Sequence, residues 1–263
     1  MLRKLKELFN AAVQPTRGTL KSAKLGWDAV KNDVPQGDGH LVLFLPGMLG
    51  DDSVFDEMRR CAEEKGHKTH GWEKGKNFGF NAKTGQHLQK LLKKVYDKNG
   101  GKKVTIVGHS LGGVFARELA REYPEMVRNV VTIGSPFNVT EDMNAGTSRV
   151  LRTIHDFFNP GKPGAPAIDG SEPLPMPASS LYSKADGIVN WRTSLNKAAP
   201  AAENIEVEDG HAAMVFNAKT LVAVLDRIAQ PEGSWKPFDA TAYSKVFPTP
   251  PQKPAAGKEP PHV

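Results

Sequence analysis

Residues 104–114 read Val104-Thr105-Ile106-Val107-Gly108-His109-Ser110-Leu111-Gly112-Gly113-Val114. The first four residues are apolar or β-branched, which suits a strand buried on both faces. The stretch from Leu111 to Glu122 suits a helix. Between them lies Gly-x-Ser-x-Gly, with Gly108 and Gly112 flanking Ser110. A serine at such a junction sits on a strained turn, and bulky neighbours would clash there. The turn lifts Oγ clear of the sheet and aims the first amides of the helix at a reacting carbonyl. The helix N-terminus favours the negative charge that develops at that point. The five-residue pattern recurs by chance; its setting between strand and helix makes it specific.

The chain on either side continues the alternation. Val34 to Gly39 is a break rich in turn residues, and His40-Leu41-Val42-Leu43-Phe44-Leu45 is a nearly continuous apolar run. A helix is predicted over 53–65 and a short strand from Lys68 to Trp72. Leu88, Leu91, Leu92, Val95 and Tyr96 mark a helix over 84–97. Val127 to Ile133, Ser180 to Ser183 and Ile205 to Val207 read as further strands, and 218–229 as the closing helix. Strands and helices joined by short links predict an α/β fold with a parallel sheet. Residues 137–177 break the rhythm with a helical piece around Val150 to Phe158 and then a Gly- and Pro-rich segment. An insertion of this length is often a lid or binding loop.

A serine hydroxyl is a poor nucleophile until a base takes its proton. His211, in Asp209-Gly210-His211-Ala212, directly follows the last strand, at the sheet edge where functional residues gather. His155 is the weaker candidate, because it precedes the acid in the chain and lies in the insertion. The acid is expected to be Asp186, in Ser183-Lys184-Ala185-Asp186-Gly187, on the loop after a strand. The order serine, acid, histidine is the one this architecture uses. Asp186 could also be a plain Asp-Gly turn residue. Asp209 stands two residues from His211, an awkward offset for side-chain contact, and Asp142, Asp156 and Asp169 fall in the insertion. Two amides are needed for an oxyanion. Leu111 N–H follows the nucleophile, and Met48 N–H, in Leu45-Pro46-Gly47-Met48-Leu49-Gly50, follows the first strand. That loop could equally be a simple strand-to-helix turn. Asn77, Phe78 and Phe80 either line an acyl pocket or pack a loop.

Gly108-His109-Ser110-Leu111-Gly112-Gly113 resembles the nucleophile motif of the α/β-hydrolase superfamily, and Pro46-Gly47-Met48-Leu49-Gly50 resembles the oxyanion loop of bacterial lipases. Pro46 stands where that loop usually has histidine, which keeps Met48 as donor but leaves the loop's supporting hydrogen bonds open. Gly71-Trp72, Ala116-Arg117-Glu118-Leu119-Ala120, Ile133-Gly134-Ser135-Pro136-Phe137, Asp186-Gly187-Ile188-Val189 and Asp226-Arg227-Ile228-Ala229-Gln230 are similar to a group of bacterial lipase-like hydrolases. The resemblance covers roughly residues 39–238. It implies an α/β-hydrolase fold, with a minimal, mostly parallel sheet flanked by helices and a lid-like insertion. The expected division is a basic helical arm over 1–38, the hydrolase domain over 39–238 and a Pro-rich, unstructured tail over 239–263. The expected activity is hydrolysis of a small-molecule ester or lipid through Ser110, His211 and Asp186. An acyltransferase, a thioesterase or an amidase would use the same residues. A non-catalytic binding protein on this fold is a further alternative. Phe137, Phe157, Phe158 and Met176 of the insertion would cover an acyl site.

Composition bounds these readings. The 263 residues, 39% of them hydrophobic, suit one α/β domain with a sizeable core. No run of about 18 apolar residues is present to cross a bilayer. The basic start is followed by no continuous apolar stretch, so a cleaved leader is not expected and a cytoplasmic location is. Cys61 is the one cysteine, expected as a small packed side chain. Residues 1–31 carry seven Lys and Arg against two Asp and Glu, most of the formal net charge of +6. Residues 2–13 and 19–31 both have helical apolar spacing. They fit either peripheral contact with an anionic membrane or packing on the domain with solvated lysines. No aromatic residues interleave the basic ones, so nucleic acid is not an expected partner. His40, His67, His70, His87 and His262 show no metal-binding spacing, and no phosphate loop occurs, so no cofactor is expected. The sequence carries no indication of oligomeric state.

Overall fold

The computed structural model describes residues 17–138, 170 and 172–248. Its elements in chain order are α1 (Arg17–Val30), β1 (Leu41–Leu45), α2 (Asp56–Glu64), β2 (Lys68–His70), α3 (Ala82–Lys98), β3 (Val104–His109), α4 (Leu111–Glu122), β4 (Val127–Ile133), β5 (Ala178–Tyr182), β6 (Ala202–Glu206) and α5 (Ala218–Ala229). Among the described residues the six strands form one sheet in the order β2-β1-β3-β4-β5-β6. Every adjacent pair is parallel.

The apolar runs explain the layering. Side chains alternate between the faces of a strand. In β1, Val42 and Phe44 enter a core with α1, α2 and α5, together with Trp27, Met58, Cys61, Leu221 and Leu225. Leu41, Leu43 and Leu45 enter the opposite core, with Leu88 and Leu92 of α3 and Phe115 of α4. A sheet covered on both faces needs apolar residues at every position, and all five β1 residues are buried.

The register then places the site. Leu45 pairs with Gly108, His109 with Ile133, Ile133 with Leu181, and Tyr182 with Glu206. The carboxyl ends of β1, β3, β4, β5 and β6 therefore lie along one rim, and the loops that follow them share it. The chain leaves β1 toward β2 and returns on the other side of β1 as β3. This reversal opens a crevice between the loops after β1 and β3, the usual ligand position in open α/β sheets.

Two boundaries differ from the expected division. In α1, Trp27 and Val30 are buried in the core with Val34, so the arm from residue 17 packs on the domain, beside α5. Trp27 Nε1 also donates to Glu64 Oε2 of α2 at 3.1 Å. At the other end, residues 239–247 fold back as part of the body. Tyr243 and Val246 are buried, and the Tyr243 hydroxyl donates to the buried Asp226 carboxylate. Proline content beyond residue 247 had concealed these two apolar anchors. Residues 2–13 and most of the predicted insertion lie outside the described residues. At the insertion's edges, Phe137 and Met176 are buried core residues, and the Arg117 guanidinium lies 3.9 Å from the Phe137 ring. Phe137 is thus committed to packing against α4, and Met176 to the same core.

Candidate active site

The turn between β3 and α4 has the strained form expected from its glycines. Ser110 sits at φ +51°, ψ −122°. A side chain at that φ is costly, by about 1–3 kcal/mol, and persists only where the surroundings hold it. Here Ser110 N–H donates to Ile133 O at 2.8 Å, and Gly113 N–H closes on Ser110 O at 3.0 Å. Gly108 and Gly112 are required by contact. A Cβ at 112 would overlap the Leu45 carbonyl, and one at 108 would overlap the Gly112 backbone. The turn thus fits only by letting α4 press directly on the end of β1.

His211, Ser110 and Asp186 come together although Ser110 lies 101 positions and Asp186 25 positions from His211 in sequence. His211 Nε2 lies 2.9 Å from Ser110 Oγ, and His211 Nδ1 lies 2.6 Å from Asp186 Oδ2. The carboxylate only accepts, so Nδ1 carries the proton and Nε2 offers its lone pair to the serine hydroxyl. The other Asp186 oxygen accepts from Ile188 N–H at 2.9 Å and Val189 N–H at 2.8 Å. The Asp-Gly turn and the contact with histidine are therefore the same feature. The His211 and Asp186 side chains are 3% and 2% exposed, dry enough for their interaction to be strong. Asp209 turns away and accepts from Asn217 Nδ2, with φ +80°.

His109, beside the serine, underlies this arrangement. Its Nε2–H donates to the His211 carbonyl at 3.1 Å, and the two rings lie 5.0 Å apart. Burial and the neighbouring His211 push His109 down to about 3, so it is neutral and holds the His211 backbone without adding charge.

Met48 lines the cleft beside the serine, together with Gly47, Val54, Ser110, His211 and Ala212. Leu111 N–H opens α4, where no intrahelical acceptor is available. The Met48 loop takes its support from Asn77, which the sequence left between pocket and packing. Asn77 is fully buried. Its Nδ2 donates to Pro46 O at 2.9 Å, its carbonyl accepts from Leu49 N–H at 2.6 Å, and its N–H donates to Gly50 O at 2.8 Å. Leu49 itself is held at φ +65°. Asp52 pins the next loop, accepting from Trp72 N–H and Glu73 N–H. A buried asparagine that bonds both ends of a loop has no short sequence signal, which is why it was not singled out as support. Phe78, next in the chain, is 72% exposed.

A family profile described as alpha/beta hydrolase fold matches residues 41–159, the stretch running from β1 past the serine turn. With the parallel sheet, the strained serine turn and the strand order already described, this decides the fold. The chain has the α/β-hydrolase fold. Among solved structures, this chain is similar to 2-hydroxy-6-oxo-6-phenylhexa-2,4-dienoate hydrolase from Rhodococcus sp. strain RHA1. The two share 15% identity over 73% of this chain and 92% of the other, with a TM-score of 0.53. A putative aryl esterase from Burkholderia cenocepacia gives 15% identity, 74% and 91% coverage and a TM-score of 0.52. A monoacylglycerol lipase from Paleococcus ferrophilus gives 14%, 74% and 97%, and 0.51. Identities this low establish the fold alone. Two curated relatives, triacylglycerol lipases of Pseudarthrobacter phenanthrenivorans and Burkholderia plantarii, are each 39% identical over 57 residues, 22% of this chain. The match spans only 18% and 16% of their lengths. No helix among the described residues is long and apolar enough to cross a membrane.

Proposed function

We propose that this α/β hydrolase cleaves carboxylic esters through an acyl-enzyme on Ser110. The observation that carries the reading is the position of His211 between Ser110 Oγ at 2.9 Å and Asp186 Oδ2 at 2.6 Å. His211 Nε2 takes the hydroxyl proton as Oγ attacks the ester carbonyl, and Asp186 stabilises the imidazolium that forms. The Met48 and Leu111 amides receive the oxyanion. The imidazolium then protonates the leaving alcohol, and the ester Oγ–acyl bond remains. A water, deprotonated by the same nitrogen, attacks that acyl group, and its proton returns to Ser110 as the acid leaves. The balance is one ester and one water in, one alcohol and one acid out.

The name of the curated relatives, triacylglycerol lipase, favours an ester over an amide as substrate. A fluorophosphonate probe is expected to label the protein, and Ser110→Ala to abolish labelling together with hydrolysis of p-nitrophenyl esters. Labelling that survives in Ser110→Ala would exclude this nucleophile. A protein labelled at Ser110 that hydrolyses no ester in a series of rising acyl length would keep the nucleophile and exclude the substrate class.

A further inference from the structure

The opposite end of the sheet holds a second cluster that the reaction does not use. His40 immediately precedes β1 and His67 immediately precedes β2, and the pairing of those strands, with Lys68 N–H on His40 O at 3.1 Å, brings the two together. Their rings meet edge to face with centroids 4.8 Å apart. Asp38 completes the group, and one ligand atom from each of Asp38, His40 and His67 lies within 4.8 Å of the others.

The hydrogen bonds around His40 fix its protons. Asn129 Nδ2 donates to Arg227 O at 3.1 Å, so its Oδ1 is the atom facing Thr105, and that oxygen can only accept. The Thr105 hydroxyl must therefore give its proton to Asn129. His40 Nε2, 2.8 Å from Thr105 Oγ1, must then be the donor to Thr105. His40 Nδ1 then faces the Asp38 carboxylate, with Oδ1 2.6 Å away. Two acceptors at that separation are held together by a cation between them, a proton or a metal ion. His67 adds a second need. It is only 4% exposed, and neither ring nitrogen has a partner. An unpaired buried polar group of this kind costs about 1–3 kcal/mol.

We propose that Asp38, His40 and His67 bind a divalent transition-metal cation of the zinc class at the amino-end edge of the sheet. One ion would take Nδ1 of His40, Oδ1 of Asp38 and a ring nitrogen of His67, replacing the proton between the first two and satisfying the third. Two imidazoles and one carboxylate are a donor set suited to Zn²⁺ or Co²⁺. The outer contacts are those that orient metal ligands. Thr105 holds the far nitrogen of His40, and Arg128 Nη1 holds the far oxygen of Asp38 at 2.7 Å. Asp38, 52% exposed, is the arm free to adjust to the ion.

The site would tie the segment before β1 to the sheet, on the side away from Ser110. The test is titration of chelator-treated full-length protein with Zn²⁺ alone, by calorimetry, and with Co²⁺ alone, by visible absorption. One saturable site is expected, with a rise in melting temperature on Zn²⁺ addition. His67→Ala should weaken binding by roughly tenfold or more and remove the thermal shift, as loss of a ligand exceeds loss of an outer-shell partner. The variant loses no hydrogen bond, and Asp38→Asn at an exposed position repeats the test independently. His211→Ala should bind as tightly as the parent. The proposal is overturned by a parent protein that binds neither ion, by unchanged binding in both His67→Ala and Asp38→Asn, or by loss of the site in His211→Ala.

Discussion

Replacing Asn77 with alanine separates the support of the Met48 loop, the proposed oxyanion loop, from the proposed catalytic groups themselves. The substitution keeps the backbone bonds to Leu49 and Gly50 but removes the side chain that donates to Pro46 O and accepts from Gly79 N–H at 3.0 Å. Asn77 is fully buried, so the Pro46 carbonyl is left without a donor, a cost of about 1–3 kcal/mol. Part of that cost should appear as a lower urea midpoint. The rest should appear as relaxation of the 46–50 loop, which moves the Met48 amide away from the oxyanion position. Deleting an oxyanion donor outright costs about 10²–10³ in kcat. Displacing one without removing it should cost less, on the order of tenfold to a hundredfold, with little change in KM. The assay is stopped-flow acylation by a p-nitrophenyl ester beside a urea melt. Asn77→Asp is the control, since a carboxylate fills the same space but cannot donate to Pro46 O, and it should match or exceed the alanine variant. A kcat within twofold of the parent in both variants, with folding intact, would refute the claim that Asn77 positions the loop.

The metal-free protein should lose stability as pH falls below about 6.5. His67 and His109 have folded values of about 4 and 3 against an ordinary 6.5, so between those limits the unfolded chain binds more protons and stability rises with pH. For His67 alone the loss by pH 4 is up to roughly 3 kcal/mol at about 1.4 kcal/mol per pH unit. Urea melts at pH 7, 5.5 and 4 would measure it, and a flat profile would contradict the assignment of both rings as neutral. Tyr243→Phe should lower stability by about 1.5–3 kcal/mol, the usual worth of a hydrogen bond to a charged group. It should also expose residues 239–247 to protease; an unchanged urea midpoint would show that Tyr243 does not anchor that segment.

The periodicity of residues 40–133 led directly to the sheet, because strands buried on both faces carry an unbroken apolar signal. The closing helix ends where the pattern ends, at 218–229. The short strands were less legible. β6 runs 202–206, not 205–207, since it is an edge strand whose residues are mostly half-exposed and polar. The three residues that meet at Ser110 could be named from chain order and strand ends. Asn77 and His109 could not, because their roles depend on bonds to backbone atoms far away in sequence. The pairing of His40 with His67 was invisible for a similar reason. Their 27-residue separation resembles no metal motif, and only the parallel register of β1 and β2 makes them neighbours. An amphipathic stripe allows more than one reading, and Trp27 at 0% exposure shows that the stripe of α1 packs on the core.

The strained backbone has a consequence for how this protein would respond to selection for heat resistance. Among the described residues, the non-glycine positions with positive φ are Leu49, Glu73, Ser110 and Asp209. Three of the four stand on the loops that carry Met48, the serine and His211. Glycine at any of them would relieve strain of about 1–3 kcal/mol. A screen that rewards only survival at high temperature would therefore favour changes at the positions that aim the reactive groups, and would trade turnover for endurance. Thermostable variants selected without an activity assay should be sequenced first at 49, 110 and 209.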